Sequence, residues 1–206
     1  MWSTDVLREE HRWILRMLQC LERVGQNSMH AGRLDAASTS ELLALFTHFA
    51  DGLHQEREER CLFPRLLARA RSVTERMDIG RLCGEHEQER RALGRMNQDL
   101  LGAIYGQARC VRDFQREAQR YVALQRQHVL HENQALLPLA DFLLTPEDDE
   151  FVMQGFVSLE REGPERLKHI FERIQALCAL VGIDAASGTP AHPLQGEPPG
   201  PSAPNQ

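Results

Sequence analysis

Long apolar runs are missing from this chain of 206 residues. No segment approaches the ~18 apolar residues of a membrane span, and Asp5, Arg8 and Glu9 stand where a secretory leader would need an apolar stretch. Neither insertion into a membrane nor export is expected; a soluble, cytoplasmic protein is. A disulfide framework is missing as well. The five cysteines, Cys20, Cys61, Cys83, Cys110 and Cys178, are odd in number, scattered and without CxxC spacing, which favours reduced thiols. Positive charge is in deficit, 24 Lys and Arg against 30 Asp and Glu, and the formal net charge of −6 argues against nucleic acid as a partner. The length suffices for one well-buried domain and is short for two.

What the chain does have is a repeat. His54-Gln-Glu-Arg-Glu58-Glu-Arg-Cys-Leu62-Phe63-Pro64 returns 74 residues later as His128-Val-Leu-His-Glu132-Asn-Gln-Ala-Leu136-Leu137-Pro138. Glu10-His11 returns 75 residues later as Glu85-His86. Each half therefore carries a single His, then His-x3-Glu, then an apolar-Pro stop. On an α-helix, residues i and i+4 lie about 40° apart and one turn along the same face, so an imidazole and a carboxylate at that spacing reach one point beside the helix. Imidazole with carboxylate suits iron and its neighbours, and two such helices facing each other build di-iron sites inside four-helix bundles. Six ligands, three per ion, would leave positions for bridging oxygen or an incoming molecule.

Periodicity places these residues on helices. Ser3 or Thr4 can cap a first helix to about Gln26, through Leu7, His11, Ile14, Leu18, Leu21 and Val24. Residues 27–35 read as a connection. Ser38-Thr-Ser40 offers caps for a second helix over about 38–70, which Pro64 should kink, as Pro138 should kink the fourth. The third runs from Ser72 or Thr74 to about Tyr105, and the fourth over about 109–143. Thr145-Pro146-Glu147-Asp148 opens a short fifth helix to about Arg161, and Gly163-Pro164-Glu165 a sixth that ends near Val181 or Gly182. The expected fold is all-α: an antiparallel four-helix bundle over 3–144 with one or two extra C-terminal helices over 146–182. Together these form one domain over 1–183, and a disordered Pro- and Gly-rich tail fills 184–206. In antiparallel hairpins with these boundaries, His11 stands level with His54, Glu58 with His86, and His86 with His128.

In these residues the chain resembles the hemerythrin-like, or HHE cation-binding, family of four-helix-bundle proteins. The resemblance covers roughly residues 5–145. It rests on Glu10-His11, on Phe49-Ala-Asp51…His54-x3-Glu58-Glu59…Leu62-Phe63-Pro64, on Glu85-His86-Glu87, and on Tyr121-Val…His128-x3-Glu132…Leu136-Leu137-Pro138. It implies a non-haem di-iron centre, two iron ions bridged by oxo or hydroxo oxygen with manganese as the alternative. The ligands it implies are His11, His54, Glu58, His86, His128 and Glu132, with both glutamates bridging. It also implies a small diatomic or peroxide ligand: O2, peroxide or NO. Oxygen-carrying members have a further His one turn after the third-helix His, where Arg90 stands here, and end on an Asp five residues after its His. The four-His, two-Glu pattern is instead similar to bacterial hemerythrin-like proteins and to iron- or oxygen-responsive domains.

Other candidates read differently. His131 should fall off the ligand face and be exposed, His48 should lie at the surface or behind a ligand, and His30 and His192 belong to loops. Glu59 and Glu89 belong to solvated faces or orient ligands. Tyr121 packs in the core. His169 resembles a C-terminal His that lies near the site in some relatives, and Glu160 is a weaker candidate of the same kind. Three functions stay open: an oxidant-consuming enzyme, a module that stores or senses iron or gas through a protein partner, and a scaffold whose histidines merely pack. The last leaves two buried glutamates without a cation, which is disfavoured.

Overall fold

The computed structural model describes residues 1–160 and 164–183, and everything described is helix or short connection. The first rod is α1 (Trp2–Ala31). The second is built in pieces: α2 (Ala36–Leu45), a π-helical segment Phe46–Gln55, a π turn Glu58–Leu62, and α3 (Phe63–Arg69). The third is α4 (Val73–Ile104). The fourth joins α5 (Ala108–His131), a π turn Glu132–Leu136 and α6 (Leu137–Leu143). Short connections make successive rods antiparallel, and α7 (Pro146–Leu159) and α8 (Pro164–Leu180) close over the bundle. The fold is thus the expected antiparallel four-helix bundle with extra C-terminal helices.

Local chemistry sets the boundaries, in places against expectation. Neither Ser3 nor Thr4 caps α1. The amides of Trp2 and Ser3 donate instead to the Asp149 carboxylate of α7 at 3.0 and 3.1 Å, because an acid from a distant element satisfies orphan N–H groups as well as a local cap does. The helix also continues past Gln26 to Ala31. Buried Ser28 donates to Gly25 O and accepts from Gln115 at 2.9 Å, so the last turns have a partner on the fourth rod, and Gly32 ends them at φ 67°. His30 consequently sits in a helix and not in a loop, its ring 3.0 Å from Gln26 O. Asp35, not Ser38-Thr-Ser40, caps the second rod by accepting from Ser38 N. Ser72 with Glu75 and Thr145 with Asp148 form reciprocal capping pairs on α4 and α7.

At both prolines the structure holds a π turn. The N–H of Phe63 reaches back five residues to Glu58 O, and that of Leu137 to Glu132 O. A proline at 64 or 138 offers no N–H and crowds the preceding turn, and the wider turn absorbs that misfit. Each π turn begins on a glutamate of the repeat.

The core is split. One apolar cluster contains Ile14, Leu53, Leu93 and Val122, and the other Leu7, Leu62, Leu82 and Leu136. On every rod, the His or His-x3-Glu residues lie in sequence between a member of one cluster and a member of the other. The polar layer is therefore sandwiched between two dry ends. Outside the bundle, Trp13 of α1 stacks on Phe171 of α8 with centroids 4.6 Å apart, and Arg173 clasps Glu41 at 2.7 and 3.0 Å. Asp148 of α7 accepts from Arg69 at 2.7 Å. Among the described residues, no helix is long and apolar enough to cross a membrane. The expected tail over 184–206, with His192, and residues 161–163 lie outside the described residues.

Candidate metal centre

His11 from α1, His54 and Glu58 from the second rod, His86 from α4, and His128 and Glu132 from the fourth rod meet in the polar layer, all of them buried. They form two overlapping groups. His11, His54, Glu58 and Glu132 can bring one donor atom each within 4.8 Å of one another, and so can Glu58, His86, His128 and Glu132. Both glutamates belong to both groups. Nε2 of His11 lies 3.1 Å from one oxygen of Glu132, and Nε2 of His128 lies 3.1 Å from the other. Nε2 of His54 and of His86 are 3.6 and 3.4 Å from the same oxygen of Glu58. Nε2 of His86 and of His128 face each other at 3.0 Å.

The outward nitrogens explain why the inward ones converge. Nδ1 of each ring meets an oxygen acceptor: Asn133 for His11 at 3.0 Å, Glu10 for His54 at 2.9 Å, Glu59 for His86 at 2.7 Å and Glu85 for His128 at 2.9 Å. An imidazole that donates from Nδ1 keeps the Nε2 lone pair free, and here all four free lone pairs point at the two glutamates. Nε2 of His11 and His54 and both oxygens of Glu58 and of Glu132 are buried without a hydrogen-bond partner among the described groups. Six such atoms in one dry layer are costly unless a cation takes them, so this donor set fits a metal.

Protons compete for the same nitrogens. Burial alone would keep the rings neutral, yet the carboxylates override it. His86 is pushed up to about 9 against burial by Glu58 and Glu59, and His54 and His128 also rise against burial through Glu58, Glu10 and Glu132. Glu132 is held well below the ordinary carboxylate range, against burial, by His128 and His11. The layer as a whole favours positive charge.

Some contributors were not foreseen from sequence. Glu10 and Glu85 were visible only as the first residues of the Glu-His pairs, yet each reaches across to the His of a neighbouring rod. Arg57, fully buried, pairs with Glu10 on one side and Glu160 on the other and lies 5.1 Å over the Phe156 ring. Its place inside the His54–Glu58 repeat was the available signal, but a charged residue there reads as a solvated face. Among the described residues Glu160 thus reaches the site through Arg57. Glu89 is buried and accepts from Gln55 at 2.7 Å and Gln125 at 2.8 Å, and burial pushes its carboxyl up to about 7. His169 is exposed beside Glu172 on α8 and does not join the cluster. His48 lies at the surface. His131 is half-buried against Arg81, not fully exposed, because α4 packs beside it. Tyr121 packs edge-on against Phe46, as expected.

A four-rod bundle with a buried layer of four imidazoles and two shared carboxylates defines a helical cation-binding protein of the kind whose fold carries the ion between its rods. Residues 3–140 match the family model described as the Hemerythrin HHE cation binding domain. The chain belongs to that family. Neither the comparison with curated proteins nor that with solved structures produced a match.

Proposed function

We propose that the six side chains hold two cations, and that these are iron. His11 and His54 would serve one ion, His86 and His128 the other, with Glu58 and Glu132 shared between them. The single observation that carries this reading is the sharing of both glutamates by two overlapping donor groups, with four Nε2 atoms turned inward. Zinc usually takes four ligands per ion and has little use for a paired three-ligand set, whereas manganese fits the same donors. Bound iron would supply one-electron steps at two adjacent ions and open positions for O2, peroxide or NO.

The chain's own residues prepare that site in three ways. The Nδ1 partners fix each ring's tautomer and tilt, the two apolar clusters exclude water, and Phe63 stacks parallel to His86 at 5.9 Å to limit its rotation. Among the described residues no side chain is placed as a dedicated acid or base, so binding of or reaction with a small oxidant is the proposed activity, and a place in the cytoplasm rests on the five free thiols. Anaerobic purification, metal counting and absorption spectra before and after O2 or peroxide test it. About two iron per chain and a new visible band support the reading; metal-free or zinc-only protein rejects it.

A second reading is favoured by Arg57. Glu10 holds the His54 ring, Arg57 holds Glu10, and Arg57 also holds Glu160 at the end of α7, so the layer is joined to the C-terminal helices by one buried chain of contacts. That connection suits a module that senses or stores iron or gas and reports occupancy to a protein partner. Protease protection of residues 145–206 that changes with metal or oxygen supports this reading, and identical digestion in every state counts against it.

A further inference from the structure

We infer that Cys20 and Cys178 form a covalent modification site, a buried dithiol that peroxide-class oxidants close into a disulfide tying α8 to α1. The two sulfurs lie 3.2 Å apart although 158 residues separate them in the chain. This is the only thiol pair in hydrogen-bond contact among the described residues. Cys61 sits against Gly155, Cys83 is exposed, and Cys110 faces Gln107 at 3.5 Å. A disulfide of ~2.05 Å needs the sulfurs to approach by roughly 1 Å, within reach of small helix and rotamer shifts.

The pair is also polarised for the reaction. The two thiols are hydrogen-bonded and either sulfur can donate; the contact draws the Cys178 thiol down, with Arg16 assisting against burial, and raises Cys20 together with burial. Arg16 is buried one turn before Cys20 on the same face of α1. A thiolate beside a guanidinium is the more nucleophilic form of cysteine.

With hydrogen peroxide as oxidant, the Cys178 thiolate attacks one peroxide oxygen, the O–O bond breaks, and hydroxide leaves to become water with the proton released by Cys178. The Cys178 sulfenic acid is then attacked by Cys20 sulfur, the S–O bond breaks as S–S forms, and the leaving hydroxide takes the Cys20 proton as a second water. Two thiols lose two electrons and two protons, and one peroxide becomes two waters. The bond would fasten α8, which already packs through Ile170, Ile174 and Leu177, the Trp13–Phe171 stack and the Arg173–Glu41 pair, covalently to the first rod.

Full-length protein, both metal-loaded and chelator-treated, is incubated with hydrogen peroxide, denatured, alkylated and mapped by mass spectrometry without reductant. The expected product is a Cys20–Cys178 linked peptide two hydrogens lighter than its parts, dissolved by dithiothreitol, with a thermal midpoint roughly 5–10 °C higher before reduction. Cys178→Ser is expected to lose the linked peptide and the shift in midpoint. Because that variant can also lose packing, Cys83→Ser serves as the folded control and should keep both. The inference is overturned if Cys20 and Cys178 stay fully alkylatable after exposed Cys83 has been consumed, or if either pairs with a different cysteine. The result in the chelator-treated arm is independent of whether the metal layer holds iron.

Discussion

Asn133 offers its Oδ1 to Nδ1 of His11 at 3.0 Å, at the place where the other half of the molecule sets Glu59 against His86 at 2.7 Å. The repeat extends beyond the six inward groups to the residues behind them. Glu10 and Glu85 are equivalent, His54 and His128 are equivalent, and only the Asn133–Glu59 position breaks the likeness. A carboxylate behind an imidazole raises its basicity more than an amide does. Asn133→Asp should therefore tighten cation retention, and Glu59→Gln should weaken it, each by about tenfold. Competition against a chromophoric chelator measures both.

Glu85 is half-exposed and its only buried task is to hold His128. Glu85→Ala is expected to leave helix content unchanged while weakening metal retention about 10–100-fold. Circular dichroism and metal counting after dialysis separate the two effects. Equal metal content in variant and parent would show that packing alone holds the His128 ring.

Arg57 is the counter-charge for two buried carboxylates, Glu10 and Glu160. Arg57→Ala leaves both unpaired, which should destabilise the fold by about 3–5 kcal/mol in urea unfolding. Adding Glu160→Gln should recover part of that loss, because one of the two stranded charges is gone. Strict additivity of the two substitutions would mean that Glu160 and Arg57 do not interact.

Acid should loosen α7 before it unfolds the bundle. Asp148 is held below its ordinary value of 3.8 by the Arg69 guanidinium, against burial, and by the Thr145 amide and hydroxyl. A carboxyl lowered on folding contributes stability that is full above 3.8 and is lost as pH falls through the lower, folded value. Hydrogen exchange of α7 amides should accelerate in that window, and Asp148→Asn should remove the pH dependence.

Removing the ion should lower the thermal midpoint by an amount that grows with the logarithm of the ratio of its concentration to the dissociation constant, since only the folded chain assembles the donor set. In Glu58→Ala/Glu132→Ala, which deletes the two shared carboxylates, the midpoint should no longer respond to added metal. Scanning calorimetry with and without chelator checks both statements.

Much of this molecule is legible in its sequence. The three- and four-residue apolar steps through Leu7, Ile14 and Leu18 mark α1 because a helix must turn one face to the core. His54 with Glu58 and His128 with Glu132 announce a shared point because i and i+4 lie on one face. Where the reading failed, the deciding partner came from elsewhere in the chain. The start of α1 is satisfied by Asp149, and its last turns are held by Gln115.

The residues alone determined the helical class, the doubled His-x3-Glu repeat and which six side chains could share a point, since spacing along a helix is a property of the chain. The tertiary structure decided which acceptor lies behind each ring, why Arg57 is buried, and that Cys20 meets Cys178. Those outcomes depend on how rods rotate and slide against one another, and that is set by the whole core packing at once.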